Sequence, residues 1–167
     1  MKTDFGGGQW LYALRLYLLF VIVASGAWEV LQLPLYTLAR EGTASEIVFA
    51  LAHCTAGDVL IALSTLTVAL VLCGQPAWPV SGFWRVAAVT VTFGVAYTIF
   101  SEWLNLVIRQ SWAYSDLMPV VPILAVGLSP LLQWLVIPLA GLALVRRRVR
   151  QSAQSIRSDA PWVADEI

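Results

Sequence analysis

Four long stretches of the chain are nearly free of charge, and short polar segments separate them. Residues 13–38, 47–73, 86–108 and 121–145 are each long enough to cross about 30 Å of hydrocarbon as a helix. Nothing alternates with a period of two over successive short strands, which excludes a membrane barrel. The pattern predicts an all-α integral membrane four-helix bundle over 13–145, with a short segment, 1–12, before it and a basic tail, 146–167, after it.

Composition agrees. Of the 167 residues, 59% are hydrophobic and 12% are charged, against a usual charged share of roughly 25%. A soluble fold of this length cannot hide so much apolar surface. The first apolar run is too long for a cleavable signal peptide and has no small-residue cleavage site. Cys54 and Cys73 sit at opposite ends of one run, about 28 Å apart along a helix, so they cannot bond to each other.

Formal charge is balanced, so its distribution carries the information. Lys2, Arg15, Arg85, Arg146, Arg147, Arg148, Arg150 and Arg157 fall on one side of the spans, Arg40 and Arg109 on the other. Basic residues collect in the cytoplasm, so both termini are expected there, with loops 39–46 and 109–120 outside. "RRRVRQSAQSIRSDAPWVADEI" reads as a stop-transfer tail that also attracts anionic lipid, at about 1 kcal/mol per charge. Nucleic-acid binding is not expected. "GGG" at 6–8 lacks the strand–helix setting of a phosphate loop. Trp10, Tyr12, Trp78 and Trp84 suit the cytoplasmic interface, and Tyr36, Trp112 and Tyr114 the outer one.

Each span also carries a polar stripe. Glu29, Gln32 and Tyr36 recur at i, i+3, i+7, as do Glu102, Asn105 and Arg109. Ser129 and Gln133 are four apart, as are Cys54 and Asp58, with His53 on the neighbouring flank. Counted inward from the outer ends, Glu29, His53, Glu102, Asn105 and Ser129 lie about 5–14 Å deep; Asp58 and Gln133 lie deeper, at about 17–18 Å. An acidic residue at a helix centre costs roughly 2.5–3.5 kcal/mol on insertion scales. The stripes should therefore turn inward and meet in one layer of the outer half. "WEVLQLPLY" and "SEWLNLVIR" share a glutamate followed by an amide, which allows an internal duplication. Pro130 in "GLSPLLQW" is expected to kink or break the fourth span at this layer and free the carbonyl of Val126. The aromatic loop "RQSWAYSDLMPVVP" lies above the layer, as a lid or as an interfacial anchor.

These residues suggest two chemistries. His53 with Glu29 or Glu102 forms a candidate acid–base set for a lipid-soluble substrate, such as an isoprenoid undergoing isomerisation, hydration or cyclisation. Gln32, Asp58, Asn105, Trp112, Tyr114, Ser129 and Gln133 would bind or orient the ligand. A divalent metal on Glu29, His53 and Glu102 is the other option, although no HExxH motif or paired ExxH motif is present. Haem b between two histidines is excluded by a single histidine, and a retinal Schiff base by the lack of an intramembrane lysine. Two further function classes stay open: an accessory subunit bound to a membrane-protein partner or to its own copies, and a small-solute or proton-coupled carrier.

Taken together, "WEVLQLPLY", "HCTAGD", "SEWLN", "SWAY", "MP" and "GLSPLLQW" resemble a family of small four-span proteins of proteobacterial inner membranes, over residues 20–145. The resemblance implies an inner-membrane location and this topology. It brings no assigned activity and no catalytic residues. A looser similarity to carotenoid-modifying membrane enzymes rests on glutamate-plus-aromatic patterns alone.

Overall fold

The computed structural model describes residues 7–74 and 78–158. Lys2, Gly6 and the tail from 159 onward lie outside the described residues. The chain is almost wholly helical. Helix α1 spans Gly7–Gln32, the short α2 Leu38–Glu41, α3 Ala44–Cys73, α4 Phe83–Trp103 and α5 Leu128–Ser158. Four helical segments are long and apolar enough to span a membrane. Their outward faces are apolar too: Leu19, Val23 and Leu31 on α1 and Val48, Phe49 and Val71 on α3 are all exposed. A helix that is apolar all round belongs in lipid.

The helix ends follow local rules. Pro34 would clash with the carbonyl of Val30 in an α-helix, so α1 yields to a 3-10 turn over Leu33–Leu35. Thr43 and Glu46 form a reciprocal capping box at the start of α3: the Thr43 N–H donates to Glu46 Oε2 at 2.8 Å. Gly74 closes α3 at φ 54°, a conformation open to glycine. After Trp103 the helix widens into a π-helical turn, Leu104–Ile108, in which the Arg109 N–H reaches the Leu104 carbonyl at 2.8 Å. Asn105 Nδ2 donates to the Ser101 carbonyl inside that turn.

The fourth span departs from expectation at both ends. Residues 121–127 are not helical. Val120 pairs with Gly127 and Val121 with Val126 in an antiparallel hairpin. Pro119 and Pro122 cannot donate to a helix, and Ala125 takes φ 52° in the turn. Pro130 therefore falls in the first turn of α5, where a missing N–H costs nothing. It breaks no helix, and Val126 pairs in the hairpin. At the other end the helix continues to Ser158, so the first part of the basic tail prolongs α5. Arginine and glutamine are good helix formers, and no proline interrupts 139–158.

Helix α1 packs on α3 and α5, and α4 packs on the same two, so the four long helices form a square with α1 and α4 across a diagonal. The half nearest the chain termini holds a dry core. Tyr17, Val21, Leu66, Trp78, Val86, Leu142 and Val145 are all essentially buried there. Small residues set the helix spacing. A Cβ at Gly141 would come 2.9 Å from the Phe20 ring, and one at Gly94 would come 2.4 Å from the Trp134 ring.

Gly94→Ala should therefore destabilise the bundle by about 1–3 kcal/mol, since the rigid buried Trp134 cannot yield. Gly57→Ala should be neutral or stabilising by up to about 1 kcal/mol, because its Cβ would meet nothing within 4 Å. Equilibrium unfolding of both variants in mixed micelles checks the contrast.

Candidate functional site

The half farthest from the termini encloses a cavity of about 300 Å³. Helices α1, α3, α4 and α5 all contribute to its wall. Eight of the expected residues line it: Glu29, Gln32, His53, Asp58, Glu102, Asn105, Trp112 and Gln133. Tyr114 and Ser129 stand behind the wall and hold lining residues in place. The polar stripes thus meet at one level, as their helical spacing requires.

Gln133 on α5 organises one side. Its Nε2 donates to Asp58 Oδ2 on α3 at 2.7 Å and to Glu29 Oε1 on α1 at 3.3 Å. Its Oε1 accepts from Gln32 Nε2 at 3.3 Å. Ser129 donates to Gln32 Oε1 at 2.8 Å and accepts from the Trp28 indole at 3.1 Å. One amide therefore joins three helices. Gln133, Gln32 and Asp58 are 4%, 6% and 8% exposed, so their polar groups depend on partners inside the bundle.

Glu102 on α4 forms the other side. It accepts a hydrogen bond from the Tyr114 hydroxyl, which in turn accepts from the Gly127 N–H at 2.8 Å. Burial and the adjoining Glu102 carboxylate push the Tyr114 phenol above its ordinary pKa, so it stays a donor. Tyr36 is pushed up as well, by burial and then by Glu102. The two tyrosine rings meet edge to face, 5.5 Å between centroids. The Trp112 indole N–H is buried and faces Glu102 without reaching hydrogen-bond geometry.

The aromatic loop is stapled over this end. The Thr37 N–H bonds the Ala113 carbonyl at 3.0 Å, and the Ser115 N–H bonds the Leu35 carbonyl at 2.9 Å. Ser115 Oγ adds a bond to the Pro34 carbonyl at 2.9 Å. Pro34 makes these contacts feasible, because the 3-10 turn it starts presents carbonyls that an α-helix would occupy.

His53 lines the cavity from its edge. Its ring is exposed and stacks on Phe49, centroids 5.5 Å apart. It hydrogen-bonds neither Glu29 nor Glu102, so the expected acid–base pairing is not made. The cause is its register: His53 sits one residue before Cys54, about 100° around the helix from the inward face. Among the described residues no group of three or more His, Cys, Asp or Glu side chains is placed to hold a metal ion. Glu29, His53 and Glu102 share a cavity without forming a ligand set.

Several lining residues escaped sequence reasoning. Thr98 and Ser101 continue the Glu102–Asn105 stripe one turn inward, a signal that was present in the spacing. Tyr97 and Trp134 carried no such signal, since an aromatic residue within a span can face lipid or a neighbouring helix equally well. Arg109 belongs to the same stripe and lines the cavity although its side chain is exposed.

Gln133→Leu strips a donor from Asp58 and Glu29 and an acceptor from Gln32. A loss of about 1–3 kcal/mol is expected, the cost of leaving buried polar groups unpaired. Ser129→Ala loses two interhelical bonds, each worth about 0.6 kcal/mol on average in a membrane, and should cost less, about 1 kcal/mol. Unfolding measurements that rank the two variants the other way would show that Gln133 is not the hub. No family model, no curated protein and no solved structure matches the chain.

Proposed function

We propose that this chain is a multi-pass protein of a bacterial inner membrane whose cavity, in the outer half of the bundle, binds a small lipidic ligand and acts on it by acid–base chemistry. The observation that carries the reading is the cavity of about 300 Å³ in which Glu29, Asp58 and Glu102 come together within membrane-spanning helices. That volume is at the lower bound of small-molecule sites, roughly 300–1,000 Å³. Carboxylates at this depth are costly unless they serve a site or a packing role. Glu29 and Glu102, each oriented by a donor, would exchange protons with the ligand, and Tyr114 would keep Glu102 aimed. Gln133 would hold Asp58 and Glu29 at fixed separation. Mechanistically this needs no water in the chamber.

The location rests on the asymmetry of basic residues and on the resemblance to small proteobacterial inner-membrane proteins. With both termini in the cytoplasm, the cavity belongs to the outer leaflet. A C-terminal green fluorescent protein fusion should then be bright and a C-terminal alkaline phosphatase fusion inactive, while phosphatase fused within 109–120 should be active. The largely apolar core of the terminal half weighs against a carrier. The Gln133 network also favours a second reading, an accessory subunit in which the same groups only hold helices in register.

Native nanodiscs cut from the membrane, followed by extraction and mass spectrometry, separate these readings. Wild type should carry a bound small molecule, and Gly57→Leu, which fills the cavity wall, should lose at least tenfold of it. Equal contents in the two proteins would refute the ligand site, and an altered set of co-purifying proteins in Glu29→Gln would point to the subunit.

A further inference from the structure

We infer that the cavity opens sideways into the outer leaflet between α3 and α4 and takes an amphiphilic alkylammonium ion, tail in lipid and head inside; this rests on the ligand-site reading above. The geometry of α3 locates the opening. A Cβ at Gly26 on α1 would touch the Thr55 side chain at 3.8 Å, so Thr55 marks the flank of α3 turned to α1. Two residues on, Gly57 lies about 200° around the helix, off the flank turned to α1. Gly57 lines the cavity, and a Cβ there would meet nothing within 4 Å. The α3 wall of the cavity is thus open at Gly57, away from its contact with α1.

The opposite edge agrees. Tyr97 on α4 lines the cavity yet is 46% exposed. His53 on α3 is also both lining and exposed. His53 lies about 14 Å below the start of α3 and Tyr97 about 16 Å below the end of the π-helical turn. Both depths fall inside the hydrocarbon layer. The mouth they border faces acyl chains, and the stapled loop covers the adjoining water-side rim above α1.

The chemistry of the head follows from the wall. Glu29, Asp58 and Glu102 offer carboxylates, and none is in an ion pair with a basic side chain. The basic groups of the lining, His53 and Arg109, are exposed at its margins. Tyr36, Tyr97, Trp112 and Trp134 bring aromatic rings to the same wall. Ring faces attract cations most strongly where water is excluded. Internal donors serve one oxygen of each acid. An amine that enters and takes up a proton from these acids becomes their counter-ion and brings N–H donors, and an alkyl or polyprenyl tail fits the lipid-facing mouth.

The test uses full-length protein in zwitterionic phosphatidylcholine nanodiscs, with radiolabelled dodecylammonium, dodecanol and dodecanoate as probes at neutral pH. Dodecylammonium should bind saturably at about one per chain and at least tenfold more tightly than dodecanol, with dodecanoate weakest. Glu29→Gln and Asp58→Asn, which keep hydrogen-bonding capacity, should reduce the preference for the amine over dodecanol at least fivefold. Gly57→Leu should abolish binding of the amine, and Gly57→Ala, as a folding control, should keep it. If dodecanol or dodecanoate binds as well as the amine and Gly57→Leu removes it, the pocket stands and the ammonium assignment falls. If Gly57→Leu binds the amine like wild type, the α3–α4 opening falls. If no probe binds saturably, the ammonium inference is overturned, and the fate of the pocket itself is read from the extracted native contents.

Discussion

The side-chain amide of Gln133 ties three helices together in the half of this protein farthest from the termini. It donates to acids on two different helices and accepts from an amide on one of them, all in a region where water is scarce. In lipid there is no hydrophobic force between helices, so packing and hydrogen bonds must do the joining. Remove the amide, and Asp58 and Glu29 become neighbouring carboxylates without a shared donor. Ser129, one turn earlier on α5, adds bonds to Gln32 and Trp28 and fixes the same seam between α5 and α1.

The two halves of the bundle solve the same packing problem differently. In the terminal half, Gly141 brings α5 close to Tyr17 and Phe20, and large side chains fill the space that remains. Gly94 lets α4 approach Trp134 in the same way. In the far half the helices stay apart, the space between them is kept open, and polar groups line it. A cavity costs stability because its walls lose partners. Here the loss is offset by the hydrogen-bond network and by the loop pinned across Leu35 and Thr37. Tyr114 links these parts: it touches Tyr36, holds Glu102 and caps the hairpin at Gly127.

Much of this was legible from residue order. Spacing of Glu29–Gln32, Glu102–Asn105 and Ser129–Gln133 placed the stripes on single faces, and the cost of burying acids in lipid turned those faces inward. The start of the fourth helix was not legible, because 121–127 is as apolar as a span. Hydropathy cannot tell a membrane hairpin from a helix, and the prolines at 119 and 122 were the better guide. His53 was misjudged for a related reason. Depth put it at the right level, but one residue of register, about 100° of rotation, moved its ring to the rim beside Phe49.

Residue order alone decided that four helices are long and apolar enough to cross a membrane, and which side chains lipid would reject. Those follow from transfer energies, which act residue by residue and need no knowledge of neighbours. Tertiary structure decided which rejected groups meet. That Gln133 rather than His53 mediates between the acids, that Tyr114 reaches back to Glu102, and that Gly57 borders empty space while Gly94 does not, depends on how far each helix turns and leans against its neighbours. Those rotations are set by contacts between residues a hundred positions apart, and no local pattern records them.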